Sequence, residues 1–216
     1  MTDVCSRLHG LFRAAPRLSF PFDAKCVPKN GIYILFEKGE SGHGDDRIVR
    51  VGTHTGANQL RSRLRQHFIV ENKERSIFRE NAGRALLRRD PDPFIAQWEL
   101  DLTTRAAKDR YAGKLNLDKQ RLIERRVTEY MQASFTFVAF SVDDKQERLD
   151  LESKIISTVS LCTECRPSAD WLGKYSPKEQ IRGSGLWNVN ELYKTPLSAS
   201  GMETVERLIH GALQGR

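Results

Sequence analysis

Residues 31–37 read Gly-Ile-Tyr-Ile-Leu-Phe-Glu and residues 47–52 read Arg-Ile-Val-Arg-Val-Gly. Both runs are rich in β-branched and aromatic residues, so they predict two paired antiparallel strands. The polar segment between them, KGESGHGDD, holds three glycines and predicts a flexible surface loop with no part in the core. In residues 58–70, Leu60, Leu64 and Phe68 recur every fourth position, which predicts a helix with one apolar stripe. Arg63 and His67 lie four apart along an edge of that stripe.

Farther along, residues 74–89 predict a basic helix ended by Pro91 and Pro93. Residues 94–101 (FIAQWELD) predict a short strand, and residues 117–132 a charged amphipathic helix. Residues 135–142 (FTFVAFSV) are the most strand-like run in the chain, and a helix is expected over residues 144–161. Glycine- and aromatic-rich loops follow, then a last helix over residues 200–213. Trp171, Tyr175 and Trp187 in those loops could stack on bases, although aromatic residues in a loop-rich tail more often anchor it to the core, and no role is assigned to them. The order of elements predicts an α+β protein.

The 216 residues suffice for one sizeable hydrophobic core. No uncharged apolar stretch reaches the roughly 18 residues of a membrane span. The N-terminal residues do not resemble a secretory signal, and four scattered cysteines do not make a disulfide framework, so a cytoplasmic protein is expected. The formal charge is +7, and it is concentrated. Residues 47–89 carry eleven Lys and Arg against three acids, or +8, leaving −1 for the rest. Residues 47–70 hold five arginines and no acid, which disfavours local ion pairing and points to a phosphate-bearing partner.

On the wheel of the 144–161 helix, Glu152 falls inside the apolar face formed by Leu149, Leu151, Ile155, Ile156 and Val159. A carboxylate there needs a divalent cation or an arginine, because burying it unpaired costs several kcal/mol. Cys162 and Cys165 have the spacing of half a zinc site, but its other half would have to come from Cys5, Cys26 or a distant histidine. Packed or free thiols are therefore expected.

Taken together, Gly31-Ile32-Tyr33, Arg50-Val51-Gly52, Arg63, His67 and Glu152 resemble the signature of the GIY-YIG nucleases. The matched core covers about residues 30–68 and 135–161. The resemblance implies a small three-stranded antiparallel sheet flanked by helices, here with an N-terminal arm (1–29), a helical insertion (71–133) and a C-terminal extension of loops and a helix (163–216). It also implies a DNA endonuclease leaving 5′-phosphate and 3′-hydroxyl ends. Glu152 would hold one Mg²⁺ or Mn²⁺, with no organic cofactor, and Arg63 would stabilise charge on the phosphate. Tyr33, assisted by Arg50 and His67, would manage the proton, and the family's late asparagine matches Asn188.

Arg50 stands where the family has its second tyrosine, and Thr53 stands where relatives often carry lysine. The insertion, through Arg75, Arg79, Arg84, Arg88 and Arg89, and the first helix, through Arg61 and Arg65, would contact DNA. A compact chain of this kind resembles restriction-type members, which can act as dimers and accompany a methyltransferase. The other readings are a structure-specific or single-strand nuclease and a DNA-binding module that has lost catalysis.

Overall fold

The computed structural model describes residues 2–214; residues 1, 215 and 216, the outermost ends of the expected arm and extension, lie outside the described residues. In chain order the elements are α1 (Thr2–Ala14), β1 (Leu18–Ser19), β2 (Gly31–Gly42), β3 (Asp45–Gly52), α2 (Leu60–Phe68), α3 (Ile77–Arg89), α4 (Ile95–Trp98), α5 (Arg105–Tyr111), α6 (Leu117–Ser134), β4 (Phe135–Ser141), α7 (Lys145–Ser160), α8 (Glu179–Ser184) and α9 (Ala199–Gln214). The strands form one antiparallel sheet in the order β1-β4-β2-β3. The fold is α+β as expected, with a fourth strand: two residues of the N-terminal segment add to the free edge of β4.

Strand alternation divides the core. Ile32, Ile34 and Phe36 of β2 face α1, α7 and α9, in a cluster with Leu8, Phe12, Leu151, Ile155 and Val205. Tyr33 and Leu35 face the other way, toward Leu64 and Phe68 of α2, Phe78 of α3 and Trp187 of the tail. A bulge in β3 pairs Leu35 with Arg50 but Phe36 with Ile48, leaving Val49 as the extra residue. Val49 joins the Tyr33 cluster as a result, and Arg50, opposite Leu35, lies on that face too.

Both signature glycines are explained by close approach. A Cβ on Gly52 would lie 2.2 Å from the Tyr33 hydroxyl oxygen, and one on Gly31 would lie 2.0 Å from the Phe140 carbonyl oxygen. Neither position admits a side chain without moving a strand.

Two elements differ from expectation. The KGESGHGDD segment is not a loop: β2 and β3 extend through it to a two-residue turn at His43 and Gly44, whose φ angles are 54° and 78°. That is the positive-φ turn that suits a twisted hairpin. The segment also enters the core, because buried Glu40 pairs with buried Arg47 (Nε to Oε2, 3.2 Å). Residues 94–101 are not a strand. Asp92 accepts from the Phe94 N–H and starts a single helical turn, and the four-residue spacing of Phe94 and Trp98 buries both against α3.

Trp171 and Trp187 are buried and donate through their indole N–H groups to Glu37, which anchors the tail to the core; Tyr175 is exposed. Burial pushes the Glu37 carboxyl upward despite the hydrogen bonds it accepts from Tyr130, Trp187 and Trp171. Among the described residues no helix is long and apolar enough to cross a membrane.

Candidate active site

Tyr33 extends from β2 across Gly52 of β3, and its hydroxyl meets two partners. His67 Nε2 lies 2.9 Å away and Arg50 Nε donates to the oxygen at 3.3 Å. His67 comes from the last turn of α2, one helical turn after Arg63. Its other nitrogen, Nδ1, is 2.7 Å from Ser76 Oγ. Ser76 is also the N-cap of α3, accepting the Arg79 N–H at 3.1 Å. One hydroxyl therefore starts a helix and orients the histidine. Sequence reading missed Ser76, whose only local signal was its place before a helix.

His67 is fully buried, and burial, followed by the charges of Arg63, Arg50 and Arg79, holds its pKa well below the usual range. The ring is neutral and offers one donor and one acceptor. Tyr33 is 1% exposed, so its oxygen is shielded by Gly52, His67 and Arg50.

Arg50 is fixed by more than Tyr33. Its Nη1 donates to the Trp187 carbonyl at 2.8 Å, and its guanidinium lies 4.8 Å from the centre of the Phe78 ring. The segment carrying Trp187 runs along the outer edge of β3. The Trp187 N–H donates to the Val49 carbonyl at 2.8 Å, while the Asn188 amide accepts from the Val51 N–H at 3.1 Å and donates to the Val51 carbonyl at 2.9 Å. Both ends of Asn188 are engaged as a rung on an edge strand. It supports the strand that carries Arg50 rather than offering its amide to the cluster.

Glu152 sits on α7, and its half-buried carboxylate accepts from the backbone N–H of Thr53, the residue after β3. Burial raises it to about 7, against the opposing effects of Arg50, the Thr53 N–H and Arg63. Arg63 is half-buried, and its Nη1 donates to the Arg75 carbonyl at 3.0 Å and to Gln66 Oε1 at 3.3 Å. Its charge interacts with Tyr33, Arg50 and Glu152. Tyr33, Arg50, Arg63, His67 and Glu152, scattered over 120 positions of sequence, thus share one locality; Asn188 stands behind it.

The donor set around Glu152 suits a hard cation. It is a single carboxylate, short of positive charge although two arginines are near, while the neighbouring Glu191 is taken up by Lys194 and Ser153. Mg²⁺ or Mn²⁺, which keep most of their waters, match one protein oxygen better than a closed cage would.

The arginines expected to meet DNA divide into two groups. Arg79 is buried and donates to Glu124 (Nη2 to Oε2, 2.6 Å), the Glu124 and His67 carbonyls and Thr128. Arg84 is buried between Glu80 and Glu99, each 2.7 Å away. These two guanidinium groups are structural, and so is Arg47, whose acid lies outside the acid-free stretch. Segment-by-segment charge counting misses Arg79–Glu124, Arg84–Glu99 and Arg47–Glu40 because in each the acid lies outside the counted segment. Arg65, Arg75, Arg88 and Arg89 are exposed, and Arg61 is half-buried with its Nε on the Val27 carbonyl at 2.7 Å.

A cleft of about 350 Å³, lined by Thr53, His54, Gln59, Ser62, Arg63 and Gln66, opens beside the cluster. A second, of about 380 Å³, shares Arg63 with it and continues past Arg75. A third, of about 680 Å³, lies within the 71–133 segment and shares Glu74, Arg75 and Thr103 with the second.

The family model of the GIY-YIG domain matches residues 6–214. No curated protein and no solved structure matches the chain.

Proposed function

The chain belongs to the GIY-YIG nuclease family, and on that premise we propose that it is a divalent-metal-dependent DNA endonuclease working at the cluster around Arg63. The observation that carries this reading is the reach of Arg63: one half-buried guanidinium interacts with Tyr33, Arg50 and Glu152 at the mouth of a cleft. A phosphate entering there would meet a fork-shaped donor matched to its oxygens.

GIY-YIG nucleases are generally divalent-metal dependent. A cation held by Glu152 would neutralise charge on the scissile phosphate and on the leaving 3′ oxygen. The chain's own groups would position the attacking water. The Arg50 N–H already donates to the Tyr33 oxygen, so the Tyr33 O–H is free to donate to His67 Nε2, with His67 Nδ1–H on Ser76. Neutral His67 is in the state that can accept. With its own O–H donated to neutral His67, the Tyr33 oxygen would present a lone pair to the attacking water and position it for attack, Arg50 holding that oxygen and the water's proton passing to solvent. Attack on phosphorus expels the 3′ oxygen, leaving 5′-phosphate and 3′-hydroxyl ends. Arg50 therefore occupies the place of the second signature tyrosine as a partner of the first.

The reading extends to double-stranded DNA cut at a defined sequence. The three clefts share residues from Arg63 to the inserted segment, and exposed Arg65, Arg75, Arg88 and Arg89 would follow the backbone. A homodimer would cut both strands, and a companion methyltransferase would protect the host. Incubation with plasmid and Mg²⁺ tests this: discrete fragments support it, whereas cutting confined to branched or single-stranded substrates overturns the sequence-specific part.

A further inference from the structure

We propose that Cys5, His9, His43 and Cys165 form a structural zinc site on the opposite face of the sheet from Tyr33 and His67. Their ligand atoms all lie within 4.8 Å of one another. Cys5 Sγ is 3.6 Å from Cys165 Sγ, and Cys165 Sγ is 3.8 Å from His9 Nε2. A tetrahedron with Zn–S bonds of about 2.3 Å and Zn–N bonds of about 2.0–2.1 Å has edges of about 3.8 Å between sulfurs and about 3.5 Å between sulfur and nitrogen. The side chains are therefore already spaced as a coordination shell.

The imidazoles are oriented as ligands. His9 Nδ1 is 2.9 Å from the Cys5 carbonyl and carries the proton, so Nε2 has the lone pair; that lone pair accepts the Ile48 N–H at 3.3 Å, and zinc binding would exchange this long hydrogen bond for the metal. His43 Nδ1 is 3.1 Å from a Glu164 carboxylate oxygen, with Nε2 directed toward the thiols, 3.2 Å from Cys162 Sγ. An oxygen holding Nδ1–H while Nε2 faces the metal is the usual outer support of a zinc histidine.

Cys5 and Cys165 are 0% and 1% exposed, His9 3% and the His43 side chain 3%, which gives the closed environment of a structural rather than a catalytic site. Two sulfurs and two imidazoles suit zinc and are wrong for Mg²⁺. His43 also occupies a φ of 54° at the hairpin turn, where Asn, Asp or Gly is usual, and coordination accounts for histidine there. The site would join α1, the β2–β3 turn and the segment after α7, three parts separated by up to 160 residues. The Cys162–Cys165 spacing visible in sequence supplies one ligand, with Cys162 lying beside His43.

Elemental analysis of the full-length protein, purified reduced and dialysed against metal-free buffer, tests this, together with the absorption spectrum after Co²⁺ exchange. One zinc per chain and a cobalt spectrum of tetrahedral thiolate coordination are expected. Glu152→Gln should retain both in full, and Cys165→Ser should lose them. His43→Asn keeps a residue suited to the turn, so it should remain folded, bind zinc more weakly and become sensitive to mild chelators. Zinc well below one per chain after reconstitution, octahedral cobalt, or a Cys5–Cys165 disulfide detected by mass would overturn the proposal.

Discussion

The Tyr33 oxygen has a donor on one side and an imidazole on the other, and each of these neighbours makes a separate prediction. Tyr33→Phe removes only the hydroxyl, so cleavage should fall roughly 10²–10⁴-fold while the melting temperature changes little; unchanged turnover would remove Tyr33 from the positioning of the water. Gly52→Ala should disable folding or activity outright, since its methyl would meet the Tyr33 hydroxyl oxygen at 2.2 Å and the ring at 2.3 Å. His67 makes a prediction about pH. Its pKa is lowered in the folded state, so below about 6.5 the unfolded chain binds a proton that the native chain refuses, and stability falls as pH falls. Between pH 7 and pH 5 this costs up to about 2 kcal/mol in urea unfolding. Glu152, raised to about 7, acts in the opposite sense over the same range, so the difference decides: the stability of His67→Gln relative to wild type should rise as pH falls, and a constant difference would assign the acid sensitivity elsewhere. Tyr33, Arg63, His67 and Glu152 were legible in sequence because a short motif, an i,i+4 spacing and a carboxylate on an apolar face leave local traces. Ser76 and the engagement of Asn188 were not, because both depend on partners in other elements.

At the scale of elements, the hairpin, α2, β4 and α7 were readable from residue type and hydrophobic period. The turn at His43 and Gly44 was misread because three glycines in a polar stretch look like a loop until cross-strand pairing is known. The inserted helices show the same limit. α3 reads as a basic helix, yet Arg79 and Arg84 turn inward to acids 45 and 15 residues away. Arg79→Met should therefore destabilise the protein by about 3–5 kcal/mol, because it strands buried Glu124, and Arg79→Met with Glu124→Leu should recover part of that loss. Denaturant midpoints decide it. By contrast, Arg75→Ala with Arg88→Ala should leave stability nearly unchanged, weaken DNA binding and lower the salt slope by roughly 1 for each phosphate no longer neutralised. An unaltered slope would remove these residues from the DNA path.

For the whole molecule, the sheet separates two kinds of chemistry. One face carries a hydroxyl, an imidazole and two arginines beside connected clefts, with the Glu152 carboxylate reaching them from α7 past the end of β3; the other carries thiols and imidazoles in a closed core. A hard and a soft metal would thus be held apart by the strands between them. Length, charge and hydropathy pointed to a nucleic-acid-binding α+β protein, while only three-dimensional packing separates arginines that face outward from those that hold the insertion together. The central claim is hydrolysis of DNA at Glu152, and the most direct measurement compares wild type with Glu152→Gln on plasmid DNA in Mg²⁺ and in EDTA, with the product ends sequenced. The account predicts 5′-phosphate, 3′-hydroxyl fragments from the wild type in Mg²⁺ alone, and cleavage at least about 10³-fold slower from a folded Glu152→Gln that still binds DNA. Equal cleavage by the two proteins, or cleavage by the wild type that persists in EDTA, would contradict it.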